Sequence, residues 1–498
     1  MPKRNYIKLI FGLKLKQLRQ NKKMSLSELA SKSNLSVSYL NEIESGKKYP
    51  KIDKIAVLAK SLDVTYDELV SLKLMRNLAP IEELLDSNLL EQLPLDHYGL
   101  DMNKLIRAIS SSSLQLSVLI STFIETAKSS EISQNNFSRT ALRTFKEFNE
   151  NYFEELEDEV NKFIQENRLS KHNTLNYNRL KPILVNKYNY EVDTSSLNKY
   201  PEFNDIRALT INKTQNKLML NDNLETHRKA FILAKELAYN YLDIKERSYI
   251  FSSMRLNTYD HLVNYFYTSY FATALIINKA FLIPDLKKIF GLRKWNEDKF
   301  LSLLDKYNAT PEMFFQRITN LLAKDFGLNK FFFLRFNHEI GSKSYNLSKE
   351  VRLNTRRNPG GYKSSEHYCR RWVSISALNM LEKKLKEQKD SNGKSCGILH
   401  STFHHSKDEY LCISVAQRAS LSENNIYSVT LGFQIDEKMK QIISFWNDPE
   451  IPKKTVNDTC ETCTIKDCTE RVAPPTSAER IEKSIRLEEA IRKLEETN

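Results

Sequence analysis

Glycine, proline and cysteine are scarce in this chain of 498 residues. Only 11 residues are glycine and 13 are proline, which excludes collagen-like repeats and argues against a turn-rich, all-β architecture. All six cysteines lie between Cys369 and Cys468, so the first 368 residues contain none. In a reducing compartment this clustering favours metal or redox chemistry over a disulfide framework.

Long apolar runs are also missing. Because no stretch of about 18 uncharged apolar residues is present, we expect no membrane span. The first residues, Met1-Pro2-Lys3-Arg4-Asn5, lack the apolar core of a secretory signal. These two absences predict a cytoplasmic protein, in which thiols stay reduced.

The length of the chain and the distribution of its charge indicate how it is organised into domains. At 58.2 kDa the chain is too long for one hydrophobic core, and a typical domain of roughly 100–200 residues predicts three or four domains. The net charge is +13, and residues 1–75 alone contain 15 basic and 7 acidic side chains. A positive charge concentrated at one end predicts a polyanionic partner there.

Residues 10–72 have the pattern of five short helices. Ser25 and Glu28 form a capping box before the second helix, and Ser36 is placed to cap the third, which ends at Gly46. Two short helices with a tight turn between them, the second exposing small polar residues at its start, predict a helix-turn-helix. The alternative interpretation is a helical bundle with a solvated basic face.

The string from Ser25 to Val64, SLSELASKSNLSVSYLNEIESGKKYPKIDKIAVLAKSLDV, resembles the XRE (Cro/repressor-type) DNA-binding family. The resemblance implies that the helix after Ser36 enters the major groove of double-stranded DNA and that the protein binds paired half-sites as a homodimer. It implies base contacts from Val37, Ser38, Asn41 and Glu42, with Tyr39 near the backbone, and phosphate contacts from Lys47 and Lys48, as well as from Lys14 or Lys22.

Near residue 204 the spacing of the apolar residues changes from a helical to a strand-like pattern, within the next predicted domain. Residues 208–212 and 217–221 predict a hairpin, and the helix after it contains AKELAYNYL. This arrangement resembles the zincin-like domain of the ImmA/IrrE metallopeptidase family, whose helix carries HExxH. Lys235 and Tyr239 occupy the two His positions here and only Glu236 remains, so we expect a degenerate domain that is not an enzyme.

The sharpest chemical signal is the spacing Cys460-x2-Cys463-x4-Cys468. Three thiols within nine residues can converge on one ion or cluster, and thiolates select Zn²⁺ or an Fe–S cluster. A fourth ligand is then needed, and Cys369 is the first candidate, with Cys396 as the weaker option. The alternative is three unligated thiols.

The cysteine string, followed by Arg471 and Pro474-Pro475, and the segment Cys369-Arg370-Arg371-Trp372 resemble the short-chain fatty acyl transcriptional regulators. Members join an XRE helix-turn-helix, a degenerate ImmA/IrrE-like domain and a cysteine-containing C-terminal domain. The resemblance implies an acyl-CoA effector and an Fe–S cluster (4Fe-4S) or zinc, but it assigns no CoA contact to particular residues. A basic segment around Pro359-Gly360-Gly361 either holds phosphates or is a solvated loop.

We therefore predict a mainly α fold with α+β parts. The expected domains are a helix-turn-helix (1–75), a helical linker region (76–175), a degenerate ImmA/IrrE-like domain (176–327), a C-terminal α+β ligand- or cluster-binding domain (328–475) and a C-terminal helix (476–498) packed on the body. The leading hypothesis is a sequence-specific transcriptional regulator that responds to a short-chain acyl-CoA, to an Fe–S cluster, or to both. The alternatives are a metal-dependent peptidase that cleaves a repressor and a constitutive repressor with structural zinc.

Overall fold

The computed structural model describes eight stretches of the chain, namely residues 3–71, 134–169, 175–211, 215–246, 259–353, 367–387, 393–422 and 424–497. Two compact units make up the chain: Met1–Leu142 with Asn257–Leu262, and Arg143–Leu256 with Val263–Asn498. Most of the predicted helical linker (residues 76–133) and the turn Pro359-Gly360-Gly361 lie outside the described residues.

The five predicted N-terminal helices are present. Ser25 caps the second with the full capping box to Glu28, and the hydroxyls of Ser36 and Thr65 accept hydrogen bonds from the backbone three residues on. The helices are α1 (Lys3–Asn21), α2 (Leu26–Ser33), α3 (Val37–Glu44), α4 (Ile52–Leu62) and α5 (Tyr66–Val70).

A compact apolar core joins these five helices. Leu15, Leu40 and Leu58 from α1, α3 and α4 are fully buried within it. Gly12 allows α1 to lie against the end of α3, since any Cβ at this position would clash with the carbonyl oxygen of Ile43. The helix-turn-helix is therefore held by α1, which fixes where the exposed start of α3 points.

In the second unit, the predicted hairpin is present. Strand β2 (Ala208–Ile211) pairs antiparallel with β3 (Asn216–Leu220), and β1 (Tyr190–Asp193) pairs parallel with β3. Helices α6 (Gln134–Phe148), α7 (Glu154–Glu166) and α8 (Tyr177–Tyr188) precede or adjoin this sheet, and α9 (Thr226–Tyr241), the helix containing AKELAYNYL, follows it. Ala234, Leu237 and Ala238 bury one side of α9 in the core.

Four further helices enlarge that core. Arg317 lies at its centre with no exposed surface, and its Nη2 donates to Glu157 Oε2 at 3.0 Å. Because Glu157 is on α7, this buried ion pair connects elements 160 residues apart. The helices are α10 (Tyr259–Ile276), α11 (Lys279–Phe290), α12 (Glu297–Lys306) and α13 (Pro311–Phe326).

A six-stranded sheet with the order β5-β4-β8-β7-β6-β9 follows. One face joins the core formed by α10 to α13, and the opposite face is covered by α14 (Val373–Lys386). Successive residues of β4 alternate between the faces, so Phe333 and Leu334 lie in different cores. The strands are β4 (Phe331–Glu339), β5 (Asn346–Leu353), β6 (Lys394–Phe403), β7 (Glu409–Arg418), β8 (Asn425–Gln434) and β9 (Lys453–Val456).

The chain continues through α15 (Glu437–Ile442) and α16 (Thr476–Thr497). Ala478 is buried, whereas Ile481, Ile485 and Leu487 of α16 are 58 %, 48 % and 62 % exposed. The expectation that this helix packs on the body is therefore wrong beyond its first turn. Its apolar residues are spread around the helix rather than gathered in one narrow stripe.

No single helix within the described residues is both long and apolar enough to cross a membrane. Helices α10 and α11 meet the length and composition limits only when taken together, and they are bent by 71° at the break between them.

Candidate functional sites

The first turn of α3 is the exposed part of the helix-turn-helix. Val37 is 44 % exposed, and Ser38 and Asn41 are exposed beside it. Tyr39 and Glu42 are half-buried. Val37 and Ser38 therefore lie at the accessible start of the helix and Asn41 and Glu42 follow about one turn later, while Leu40 and Ile43 anchor its inner side.

Lys47 and Lys48 lie just beyond α3 and are both exposed. The Nζ of Lys48 is 3.5 Å from Glu42 Oε2 and 5.1 Å from the centre of the Tyr39 ring. The carboxylate thus offsets part of the positive charge that this side chain would present to a phosphate.

Of the two other lysines considered for phosphate contact, one is wrongly predicted. Lys14 is only 3 % exposed, and its Nζ donates hydrogen bonds to the carbonyl oxygen and hydroxyl of Ser71. It therefore secures the end of the domain instead of facing a ligand. Lys22 is 45 % exposed and lies 3.4 Å from Asp63 Oδ2.

An ion pair that sequence reasoning missed connects α1 to α3. Arg19 donates from Nε to Glu44 Oε1 at 2.6 Å and from Nη2 to Glu44 Oε2 at 2.9 Å, and Nη1 donates to the carbonyl oxygen of Met24. The hydrogen bonds to Glu44 raise the pKa of Arg19. This two-pronged contact fixes the C-terminal end of α3 relative to α1.

Residues 235–239 of α9, where the resemblance to the zincin-like domain places HExxH, make other contacts. Glu236 is 1 % exposed and accepts hydrogen bonds from the hydroxyls of Tyr190 at 2.7 Å and Thr210 at 3.2 Å. Lys235 is equally buried, and its Nζ lies 2.9 Å from the centre of the Tyr265 ring. Burial lowers the pKa of Lys235 well below its usual value.

Positive charge gathers beside this position. We define the cationic cluster as Arg207, Arg335 and Lys349, which surround Glu312, together with Lys235, which is buried near Lys349 and Arg207. Arg335 Nε is 3.1 Å from Glu312 Oε2, and Lys349 donates to Oε1 of the same carboxylate. Although burial alone would raise the pKa of Glu312, the neighbouring cations, chiefly Lys349, lower it to about 2.

Two further buried polar groups lie at the edge of the cluster. The guanidinium of Arg228 lies beside the hydroxyl of Tyr427 and donates from Nε to Glu225 Oε2 at 2.5 Å. The guanidinium of Arg335 lies 4.7 Å from the centre of the Tyr427 ring. Tyr427 therefore stands between two guanidinium groups.

Sequence reasoning placed no ligand contact at Arg335 or Glu312. The available signal was Arg335, the one charged residue within a run of buried apolar residues from Phe331 to Phe336. A charge in the middle of a buried strand requires a partner, and the pattern alone did not identify Glu312 as that partner.

The predicted cysteine ligands come from two segments that meet. Cys369 N–H donates to the carbonyl oxygen of Asp458, and Cys460 N–H donates to that of His367, which brings Cys369 to the same loop as Cys460 and Cys463. These three thiols are buried and Cys468 is half-buried. Burial raises the pKa of Cys369 to about 11.

Arg471 organises this cysteine loop, which we define as residues 460–471. Its guanidinium donates to the carbonyl oxygens of Cys460 at 2.9 Å, Cys463 at 3.1 Å and Ile465 at 2.5 Å. The loop is therefore wrapped around one side chain. The arginine after the cysteines thus has a structural role that the spacing of the cysteines did not reveal.

Within the part of the chain that is described, no three His, Cys, Asp or Glu side chains are arranged as ligands of a metal ion. The four-cysteine ligand set therefore stays a prediction. The chemistry of the donors fits a thiolate-preferring ion or cluster, and backbone hydrogen bonds bring the segments of Cys369 and Cys460 together. Cys396 is not part of this group, because it pairs with Val415 inside the sheet.

Comparison with known proteins gives matches within the first unit. Residues 15–69 match the family model described as helix-turn-helix. The chain is similar to the HTH-type transcriptional activator BcrR of Enterococcus faecalis, with 36 % identity over 72 residues, and to the control protein C.BamHI of Bacillus amyloliquefaciens, with 34 % identity over 74 residues.

These matches are local in this chain, since they cover 14 % and 15 % of it, respectively. They cover 35 % of BcrR and 91 % of C.BamHI, so the chain spans about a third of the first protein and nearly all of the second. Among solved structures, a Mycobacterium tuberculosis transcriptional regulator aligns over 68 % of this chain and 94 % of its own, with a TM-score of 0.47 and 15 % identity.

Proposed function

The chain belongs to the helix-turn-helix family of DNA-binding regulators, and on this premise we propose that it is a sequence-specific transcriptional regulator controlled by a short-chain acyl-CoA. The observation that supports the DNA-binding part is the exposed start of α3, where Val37, Ser38 and Asn41 lie together above a buried core. A helix presented in this way fits the major groove.

The DNA-contacting residues divide into two classes. Ser38, Asn41 and Glu42 carry groups that can donate to or accept from base edges, whereas Lys47 and Lys48 supply charge for phosphates. Two copies of the domain on one duplex would read half-sites about one helical turn apart, roughly 34–36 Å, which is why we propose a homodimer.

The cationic cluster supports an anionic effector. Coenzyme A carries several phosphate groups, and guanidinium and ammonium groups are the usual partners of phosphates in proteins. Arg207, Arg335 and Lys349 share the carboxylate of Glu312, and Arg228 lies beside Tyr427, whose ring the guanidinium of Arg335 covers. A bound phosphate would offset this surplus of positive charge.

In the proposed mechanism, the effector changes the relative stability of two arrangements of the protein that differ in affinity for the operator. A coupling of about 1–3 kcal/mol between effector and DNA would change operator affinity roughly 5- to 150-fold. The effector need not contact DNA, because it acts only by binding the two arrangements unequally.

Fluorescence anisotropy with promoter DNA tests this mechanism. Titrations with and without butyryl-CoA should give different operator affinities, while free butyrate should have no effect because it lacks the phosphates. Lys349→Glu should abolish the response, and Lys330→Gln, which removes an exposed lysine near Asp436, is the matched control. Equal affinities with and without butyryl-CoA would contradict the effector part and leave the DNA-binding part standing.

The cysteines belong to the same proposal as ligands of Zn²⁺ or a 4Fe-4S cluster. Cys369, Cys460, Cys463 and Cys468 would hold it, and the group would supply either a structural cross-link or a redox-sensitive centre. Anaerobic purification separates the possibilities, since a brown protein contains iron and a colourless protein with bound zinc would favour the constitutive repressor with structural zinc. Cys463→Ser should lower the content of either metal.

The proposal includes no peptidase activity. Lys235 and Tyr239 stand where a zincin has its two His ligands, and Glu236 is engaged by Tyr190 and Thr210. A carboxylate without a neighbouring metal-bound water has nothing to activate for hydrolysis. Incubation with Zn²⁺ or Mn²⁺ and a repressor substrate tests this, because cleavage that is lost in Glu236→Gln would contradict it.

A further inference from the structure

Lys235 is the most deeply buried member of the cationic cluster. Only 1 % of its surface is exposed, and its Nζ lies over the ring of Tyr265 on α10, 2.9 Å from the ring centre. The centre of the Tyr239 ring, on the same helix as Lys235, is 6.0 Å away. The amine thus lies against aromatic rings, and the cation–π contact replaces only part of the hydration that an ammonium ion loses on burial.

The charges around Lys235 oppose a further positive charge. Burial is the main reason why the pKa of Lys235 lies well below its usual value, and Lys349 on β5 and Arg207 before β2 lower it further. Glu236, the next residue of α9, favours the charged form, but its carboxylate already accepts hydrogen bonds from two hydroxyl groups. The charge state of Lys235 is therefore sensitive to any charge that is added beside Lys349 or Arg207.

The two cations that act on Lys235 are accessible to an anion. Arg207 and Lys349 are exposed, and Arg335 is half-buried. These three share the carboxylate of Glu312, which leaves a surplus of two positive charges on the four side chains. An anion held by Arg207 and Lys349 would cancel that surplus and remove the repulsion that both cations exert on Lys235.

Because the proposed function assigns an anionic effector to the cationic cluster, we propose that binding of this effector is coupled to the uptake of a proton by Lys235. In the free protein the amine is neutral, and the bound anion makes its charged form favourable. The proton is added to Nζ, and no covalent bond to the effector forms. By linkage, affinity for the effector increases as the pH falls, by at most about tenfold for each pH unit.

Two other buried bases compete for the same role. Burial, aided by Lys349, lowers the pKa of Lys146 on α6 to about 8, so this lysine already holds most of its proton at neutral pH. Burial also lowers the pKa of His227 on α9, which is therefore neutral at that pH and needs a variant of its own. The charged groups that act on His227 are Glu225, Arg228 and Lys394.

Isothermal titration calorimetry at neutral pH tests the coupling in the full-length chain. Butyryl-CoA is titrated in Mops, Hepes and imidazole buffers, whose ionisation enthalpies differ, so the dependence of the observed heat on the buffer gives the number of protons taken up. Sulfate serves as a second anion, because its charge does not change in this pH range. We expect the native chain to take up as much as about one proton per bound anion.

Three variants assign the proton to its site. Lys235→Met should bind butyryl-CoA without proton uptake, and Lys235→Leu replaces this variant if it fails to fold. Lys146→Met and His227→Gln are the matched controls, since each removes another buried base and should retain the uptake. Circular dichroism checks that each variant is folded before its heat of binding is measured.

The outcomes separate the coupling from the proposed function. Binding of butyryl-CoA to the native chain without proton uptake would overturn the coupling and leave the proposed function standing. Uptake that persists in Lys235→Met, or that is lost in either control, would overturn the assignment to Lys235. If sulfate binds with an uptake that depends on Lys235 and butyryl-CoA does not bind, the coupling stands and the acyl-CoA effector is wrong. Binding of neither anion would overturn both.

Discussion

The two lysines after α3 offer the most direct test of how the N-terminal domain binds DNA. Replacing both Lys47 and Lys48 by Ala should weaken binding to any duplex and reduce its dependence on salt. Each phosphate contact contributes about 0.9 to the slope of log K against log salt concentration, so the double variant should lose up to about 1.8 per bound domain. Lys60, an exposed lysine of α4, provides the control, and Lys60→Ala should leave the slope unchanged.

A substitution of Glu42 complements the double lysine variant. Its carboxylate is 3.5 Å from Lys48, with 46 % and 56 % of the two side chains exposed. Exposed pairs of this kind are worth about 0–1 kcal/mol, so Glu42→Gln should tighten binding to nonspecific DNA by at most about fivefold. Fluorescence anisotropy on a random duplex at several KCl concentrations measures both effects. An unchanged slope in the double lysine variant would refute the placement of this end of α3 on the phosphate backbone.

Three other substitutions address stability and pH. Arg19→Met leaves the largely buried carboxylate of Glu44 without its partner, so it should lower the free energy of unfolding of the first unit by about 2 kcal/mol in urea denaturation. Arg317→Met leaves Glu157 as an unpaired buried charge and should lower the free energy of unfolding by about 3–5 kcal/mol. Combining it with Glu157→Leu should recover part of this loss. Equal losses in the single and double variants would contradict the ion-pair explanation. Burial, aided by Lys349, lowers the pKa of Lys146 from 10.5 to about 8 in the folded state. Between pH 8 and 10.5 the unfolded chain therefore binds this proton and the folded chain does not. Raising the pH through this range should increase the free energy of unfolding of the native chain relative to that of Lys146→Met.

The N-terminal fold could be predicted because its signals are local. Ser25 and Glu28 form a capping box within four residues, and contacts between residues so close along the chain can be predicted from the residue types alone. The same holds for the hairpin of residues 208–220, whose strands are adjacent along the chain. The pairing of Arg19 with Glu44 is less accessible, because 25 residues separate the two.

The candidate sites depended more strongly on distant parts of the chain. Lys349 has no distinguishing signal in the sequence, because Glu312, its partner in the fold, lies 37 residues earlier. The resemblance implied a phosphate contact from Lys14 or Lys22, but the neighbours of Lys14 in the folded domain bury it.

The side chain of Arg471 makes the shape of the cysteine loop depend on a residue that is not one of the predicted ligands. Its guanidinium donates to the carbonyl oxygens of Cys460, Cys463 and Ile465. A substitution at Arg471 would therefore release three backbone carbonyls of the loop at once while every cysteine stayed in the sequence.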